Sequence, residues 1–334
     1  MYTLQRYVLM TLDPVHIGTG GYRLGRVDNS IVREPGTNLP KVPGTSLSGA
    51  IRQYAAYRYE NPPCAGQGGH CGESNCPICY TFGSLKTKTQ NSKEKQHARA
   101  GVVNLFDAHI LLFPVHSMAG PVWVSTKSRL KDFGFQVDQP PIKSEECAIV
   151  GEWWAQEALN LGWTMLKAAK GAQVTESSNS ALTPNEAWKT VKERLVLVSD
   201  KLFSAVVNSN LEVRTSVSIN PLTGAAKDGA LFTYEAIPRT TWLVMDAVVD
   251  DYRWEYENGK PKRGSDGKIQ RAFPVTEKSK LLGWTAPIKV IAAGLEMIES
   301  LGIGGMGTRG FGRVRVIADW TIQAKGGCHG RAET

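Results

Sequence analysis

Cys64, Cys71, Cys76 and Cys79 fall within sixteen residues, separated by six, four and two positions. A closing Cys-x-x-Cys lets one turn of chain present two sulfurs to the same ion, and four thiolates at about 2.3 Å complete the tetrahedral shell of structural zinc. His70 stands inside the cluster as a substitute ligand. Four protein ligands leave no open coordination position, so the chemistry offered is structural rather than catalytic. Cys147 and Cys328 stand apart, and the competing reading of the cluster is a set of buried or unpaired thiols.

Among the carboxylates, Asp28 leads. It follows a glycine-rich turn (Gly18, Gly20, Gly21, Gly25) and precedes Arg33, with Gly44 to Ser48 close behind in sequence. Backbone donors and a helix N-terminus of this kind attract phosphate. Asp28-Asn29 is equally an ordinary turn pair, and Glu34, Asp107 and Glu235 are no worse founded by composition. His16, near the same turn, reads as structural.

A second glycine-rich stretch, GIGGMGTRGFG at 302–312, contains a literal G-x-G-x-x-G at Gly302, Gly304 and Gly307. The dinucleotide fingerprint requires strand, loop, then helix, so that a pyrophosphate meets a helix N-terminus; here the order is helix, loop, strand. Without Cβ atoms the loop can still bring backbone N–H groups to phosphate, with Arg309 and Arg313 supplying charge. The alternative is a tight turn that only packs.

These groups need a frame. Residues 4–13 and VDNSIV (27–32) are predicted strands. Pro43-Gly44 precedes a helix from about Ser46 to Tyr59, capped by Thr45 or Ser46, with Leu47, Ala50, Ile51 and Tyr54 on one face. Residues 84–100 are polar, basic and nearly free of apolar side chains, which predicts a mobile loop. VVNLFDAHILLFPV contains a strand, EWWAQEALNLGWTMLKAAK reads as an amphipathic helix, and Thr183-Pro184-Asn185-Glu186 as a capping-box start with proline at the first helical position. RLVLVS is a strand leading to a helix near Lys201 to Val207. LEVRTSVSI and ALFTYEAI flank Asn220-Pro221-Leu222-Thr223-Gly224 as a long hairpin, and TWLVMDAVV is a strand. After the basic loop 253–272, Ile288, Ile291, Leu295 and Ile298 mark a helix over about 286–300, and GFGRVRVIA a strand with Val314 and Val316 inward. This irregular alternation suits an α+β sheet of ferredoxin-like type better than a doubly wound one.

The chain has 334 residues, 42% of them hydrophobic, and a formal charge of +8, which favours polyanionic partners over none. It has no apolar run of membrane-spanning length and no signal-peptide pattern at its start, so no membrane partner and a cytoplasmic location are expected.

Five stretches together resemble the RAMP superfamily of CRISPR proteins, specifically the backbone endoribonuclease subunit of type III-B (Cmr) effector complexes: 16–52 (HIGTGGYRLGRVDNSIVREPGTNLPKVPGTSLSGAIR), 79–84 (CYTFGS), 111–126 (LLFPVHSMAGPVWVST), 214–238 (RTSVSINPLTGAAKDGALFTYEAIP) and 298–314 (IESLGIGGMGTRGFGRV). The related type III-A (Csm) subunit shares all but the third, which tips the resemblance towards the Cmr kind.

The resemblance implies one RAMP domain over 1–334: an α+β, ferredoxin-like (RRM-like) palm, a β-hairpin thumb at 211–240, a helical finger-like insertion at 115–193, and a cysteine-cluster and basic insertion at 60–100. It implies copies stacked head to tail on a CRISPR guide RNA alongside other subunits of the complex, a heterologous contact that propagates as a filament. Single-stranded target RNA would be selected by base pairing and cut at regular intervals, with Mg²⁺ or another divalent cation and 2′-hydroxyl attack leaving a 2′,3′-cyclic phosphate. The family's cutting aspartate is that of the V-D-x-x-I segment, Asp28; Glu235 is a second candidate. Gly18, Gly20, Gly21, Ser46, Ser48, Arg52 and the loop Gly304, Gly305, Met306, Gly307, Arg309 would hold the guide. A non-catalytic guide-binding scaffold is the alternative, and a guide-processing nuclease would call for a histidine pair that the six histidines do not evidently form.

Overall fold

The computed structural model describes residues 2–20, 27–66, 70, 71, 73, 75–85, 98–176, 181–264 and 270–322. Four antiparallel strands run side by side from one edge of its main sheet, in the order Val314–Ile322, Thr3–Thr11, Trp242–Val249, Ala108–Ser117. Helix Gly44–Arg58 links the strand Thr3–Thr11 to Ala108–Ser117, and helix Pro287–Leu301 links Trp242–Val249 to Val314–Ile322. Each strand-helix-strand unit therefore straddles one strand of the other.

Side chains alternate across a strand, so the centre of the sheet needs two apolar faces. Tyr7 and Leu9 face the two helices, meeting Leu47, Ile51, Ile291, Leu295 and Ile298, while Val8 faces the opposite side. The helices touch at Gly294, where a Cβ would stand 2.4 Å from the Ile51 carbonyl oxygen. On the first strand's edge Val314 is buried and Arg315 exposed, as the alternation predicts.

The opposite face is covered by helices Lys127–Phe133 and Glu186–Lys192, whose Leu130, Phe133 and Trp188 pack with Val8, Leu112, Trp242 and Ala318. Here the expectation of a helical insertion over 115–193 is corrected. EWWAQEALNLGWTMLKAAK forms the strands Ala158–Leu161 and Thr164–Thr175, which extend the main sheet through Glu146–Val150, Leu195–Val198 and Gly120–Thr126. Gly162, at φ +62, turns the chain between them. Leu159, Leu161 and Leu166 are buried while Met165 and Lys167 are exposed, a period of two imposed by pairing.

Three smaller expectations also change. VDNSIV makes isolated bridges rather than a strand. The helix at 44 starts without a side-chain cap from Thr45 or Ser46. Asn185, not Thr183, caps the helix at 186, accepting from the amides of Ala187 and Trp188, which puts Pro184 outside it.

The hairpin Glu212–Ile219 and Ala226–Ala236 is a separate two-stranded sheet. The Asn220 side chain and carbonyl close its tip on the amides of Leu222 and Gly224, and Leu222 is 93% exposed. Its root is buried: Tyr234 and Ala236 pack on Phe311. Within the loop 253–272, Tyr256–Glu257 pairs with Lys260–Pro261. The expected mobile loop falls mostly on residues 86–97, outside the described residues, as do Gly21 and Gly25.

Candidate functional site

Asp28 and Asn29 lie against the root of the hairpin. The Asn29 amide donates to the Thr233 carbonyl at 3.0 Å and the Asn29 carbonyl accepts from the Glu235 amide at 3.1 Å. Val27, buried beside Asp28, anchors the segment. Asp28 itself is exposed, and its Oδ2 accepts from both the amide (2.7 Å) and the hydroxyl (2.9 Å) of Thr233. The Thr233 amide first, then its hydroxyl, holds the Asp28 carboxyl below the usual aspartate range. The result is a solvent-facing carboxylate with one oxygen fixed and its charged form favoured, built from residues 205 positions apart. No local sequence pattern marks Thr233.

Glu235, two residues along the same strand, is 5% exposed. Its Oε2 accepts from Arg33 Nη2 at 2.8 Å, and Arg33 in turn donates to Asn208 Oδ1 and the Ile31 carbonyl. The pair, Glu235 buried and Arg33 half-buried, thus joins the hairpin root to the segment carrying Asp28 and to helix Asp200–Ser209. The other carboxylates that composition left open are also engaged: Glu34 with His109 and Thr37, and Asp107 with Lys41. Burial pushes the Asp107 carboxyl up, but Lys41 and the Gly44 amide outweigh it and leave a net lowering. Asp107 accepts from that amide at 2.8 Å, so a residue 63 positions away caps the helix that Thr45 and Ser46 do not.

His16 ties the two glycine stretches together. Its Nδ1 lies 2.6 Å from the Glu235 carbonyl, and its own carbonyl accepts from the Gly305 amide at 2.9 Å. Gly304 has φ +85, and a Cβ there would stand 2.5 Å from the His16 carbonyl oxygen. A Cβ on Gly18 would approach His16 Nε2 to 3.1 Å, whereas Gly20 and Gly307 face open space. Met306 adopts a left-handed conformation, and Arg309 stacks over Phe232 at 5.0 Å. The helix-loop-strand order at 302–312 is as expected for a loop that is not a dinucleotide fingerprint.

Ser48 and Arg52, with Thr45, Gly49 and Tyr57, line a groove of about 1030 Å³ along helix Gly44–Arg58. Ser46 lies on the same first turn, half-buried. Arg52 also reaches the cysteine cluster: its Nε donates to the Cys64 carbonyl at 2.8 Å and its Nη2 lies against His70 Nδ1.

The four cysteine sulfurs lie within 4.8 Å of one another. Cys64–Cys76, Cys64–Cys79 and Cys71–Cys79 are separated by 3.8, 3.6 and 3.6 Å. A tetrahedron with metal–sulfur bonds of about 2.3 Å has edges of about 3.8 Å, whereas a disulfide needs about 2.05 Å. The arrangement therefore fits a four-coordinate metal ion and no disulfide. Pro62–Ala65 delivers Cys64; helix Pro77–Phe82 begins on Cys76, whose sulfur accepts from the Cys79 amide.

The sequence matches the RAMP superfamily over residues 8–315. It is 30% identical over 252 residues, 70% of this chain and 77% of the relative, to the CRISPR system Cmr endoribonuclease Cmr4 of Pyrococcus furiosus. Over 80 residues, 23% of this chain and 31% of the relative, it is 34% identical to the CRISPR system Cms endoribonuclease Csm3 of Methanothermobacter thermautotrophicus. The fold resembles a chain of the type III-B Cmr-beta complex bound to cognate target RNA (TM-score 0.58, 13% identity, 94% of this chain and 96% of that one). It also resembles oligomeric Cmr4 from Pyrococcus furiosus (TM-score 0.53, 18% identity, 96% and 99%). Among the described residues, no helix is long and apolar enough to cross a membrane.

Proposed function

The chain belongs to the RAMP superfamily, and on that premise we propose that it is the RNA-binding, RNA-cleaving backbone subunit of a type III-B (Cmr) CRISPR effector complex, with Asp28 the residue that acts on the target strand. The observation that carries this is the exposed Asp28 carboxylate, fixed by Thr233 at the hairpin root beside the glycine stretch 18–20. We read the four antiparallel strands from Val314–Ile322 to Ala108–Ser117 and their two helices as the ferredoxin-like (RRM-like) palm, the hairpin within 211–240 as the thumb, and the strand-rich 115–193 and cysteine-bearing 60–100 as insertions.

In the proposed reaction the target's 2′-oxygen attacks the adjacent phosphorus, forming the O2′–P bond as the P–O5′ bond breaks. The 2′-proton leaves, the 5′-oxygen gains one, and a 2′,3′-cyclic phosphate remains. A general base works best with a pKa near the operating pH, and Thr233 moves Asp28 the other way. Asp28 is therefore assigned to accept a hydrogen bond from the 2′-hydroxyl and set it in line, or to hold a hydrated cation, rather than to store the proton. One carboxylate suits Mg²⁺ when waters and substrate oxygens fill the remaining positions. When bound, such a cation supplies Lewis-acid stabilisation of the phosphoryl oxygens. Glu235, buried on Arg33, is reassigned from catalysis to positioning.

Gly18, Gly20 and Gly21, the loop Gly304 to Arg309, and Ser46 and Ser48 are assigned to the guide RNA, and Arg52 to the groove wall and the brace of the cysteine cluster. Cys64, Cys71, Cys76 and Cys79 are assigned structural zinc, which metal analysis checks at one equivalent per chain. Further copies of the chain, other subunits and target RNA complete the assembly, in the cytoplasm. Asp28→Asn keeps the side chain's size and removes its charge: cleavage of guide-paired target falls by about 10²-fold or more while assembly on guide RNA persists. Normal cutting by that variant leaves only the non-catalytic scaffold reading.

A further inference from the structure

We propose that an arginine–tyrosine depression beside helix Pro77–Phe82 is a second RNA site, one that takes a nucleotide of single-stranded RNA outside the guide groove. This rests on the reading of the chain as an RNA-binding subunit, and adds a surface that neither base pairing nor Asp28 uses. The helix starts from Cys76 and carries Cys79 and, next to it, Tyr80, which is buried in the same cluster as the cysteines. The Tyr80 hydroxyl donates to Asp251 Oδ1 at 2.5 Å, and its ring meets Phe273 edge-on at 5.5 Å, so its position is fixed.

Arg253 lies over the Tyr80 ring at 4.7 Å and 5.5 Å from the ring of Tyr252, and it donates to the Ala100 carbonyl. These groups, with Arg99, line a depression of about 530 Å³ whose remaining wall is alanine. Among the described residues no carboxylate lines it. Nearby Asp251 is buried and accepts from Tyr80, and Glu255 pairs with Lys262 at 3.2 Å. Tyr252 is 52% exposed, and Arg99 is exposed on the strand pair with Gly83–Ser84.

The chemistry selects the ligand. A guanidinium stacked on an aromatic ring has its plane covered and its N–H edge left to meet an anionic oxygen in a fixed direction. Tyr252, half-exposed beside it, offers a face on which any base stacks, the pairing of features that single-strand binders use. An acidic peptide would satisfy the arginines and leave the tyrosine face unused. The adjoining ribbon continues the pattern: Arg271 stacks over Trp254 at 3.7 Å, Tyr256 is 64% exposed, and Lys260 and Lys262 are exposed. The cysteine cluster thereby gains a task, since it holds the helix that places Tyr80 under Arg253.

The test uses the protein assembled on its guide and a short fluorescein-labelled oligouridylate with no complementarity to that guide, followed by anisotropy. Arg99→Glu and Tyr252→Ala should each weaken binding by about tenfold, with the salt dependence reduced by Arg99→Glu and unchanged by Tyr252→Ala. Arg99→Lys should retain most of the affinity, and all three should cut guide-paired target at the normal rate. Unchanged affinity in both Arg99→Glu and Tyr252→Ala overturns the proposal. So does displacement of the RNA by polyglutamate of equal charge at equal concentration, which would mark a mere ion-exchange surface. The two readings fail separately: Asp28→Asn that still cuts sinks the nuclease assignment and leaves these binding changes standing.

Discussion

Asp28 and Glu235 sit on the same short stretch of hairpin root, one on each side of a two-strand bridge, and they differ in almost everything that decides what a carboxylate can do. Asp28 is exposed and held by neutral donors that keep it charged. Glu235 is buried and matched by a cation. A buried, matched charge stabilises only as a pair, because removing one partner strands the other in a poorly solvated place. An exposed charge fixed on one oxygen contributes little to folding and has its other oxygen available to a substrate. Proximity in the fold thus divides the labour between a structural and a chemical acid.

The strongest attack on that division is Glu235→Ala. It should cost about 3 kcal/mol of stability by leaving half-buried Arg33 without its carboxylate, read as a fall in Tm, while the folded fraction still cuts guide-paired RNA. If cleavage vanished with Tm unchanged, the roles would be reversed. Next comes Asp28→Glu, which preserves charge and displaces it by one methylene. An atomic misplacement of about 1 Å costs about 10²-fold where positioning carries the rate, so cutting should fall by about that factor with Tm unchanged; near-normal rates would reduce Asp28 to a diffuse charge.

Thr233→Val should have the smallest effect. It removes the hydroxyl and keeps the amide, so the Asp28 pKa rises towards the ordinary aspartate value. Because the ionised form is the active one, the acid limb of the pH–rate profile should move to higher pH, and the rate near pH 7 should fall only a few-fold, by loss of orientation. A limb that stays in place would mean another group governs it.

How much of this was legible in the sequence depended on the range of the interaction. The strand expected over 4–13, the helices expected over about 46–59 and 286–300, the hairpin around Asn220-Pro221-Leu222-Thr223-Gly224 and the four-cysteine cluster are local patterns, and the structure holds each of them, with the ends of the first strand and first helix shifted by one or two residues. The apolar residues of 152–170 satisfy a helical spacing, yet the segment forms strands; the deciding facts are the turn at Gly162 and the neighbours available for pairing, Glu146–Val150 above all. The cap expected from Thr45 or Ser46 is absent because the donor at Gly44 is met by Asp107, 63 positions away. At the site, the family resemblance pointed to Asp28, but neither its Thr233 clamp nor the Arg33 partner of Glu235 has any signature in the chain.

The covering of the sheet's second face has a practical corollary. Since residues 127–192 supply Leu130, Phe133 and Trp188 as the lid over Val8, Leu112 and Trp242, and their strands are hydrogen-bonded into the same sheet, this portion is no detachable accessory. Anyone seeking a trimmed version of the subunit should expect that excising it yields an aggregating polypeptide, and that slimming has to begin instead at the outer end of the hairpin, whose tip buries nothing.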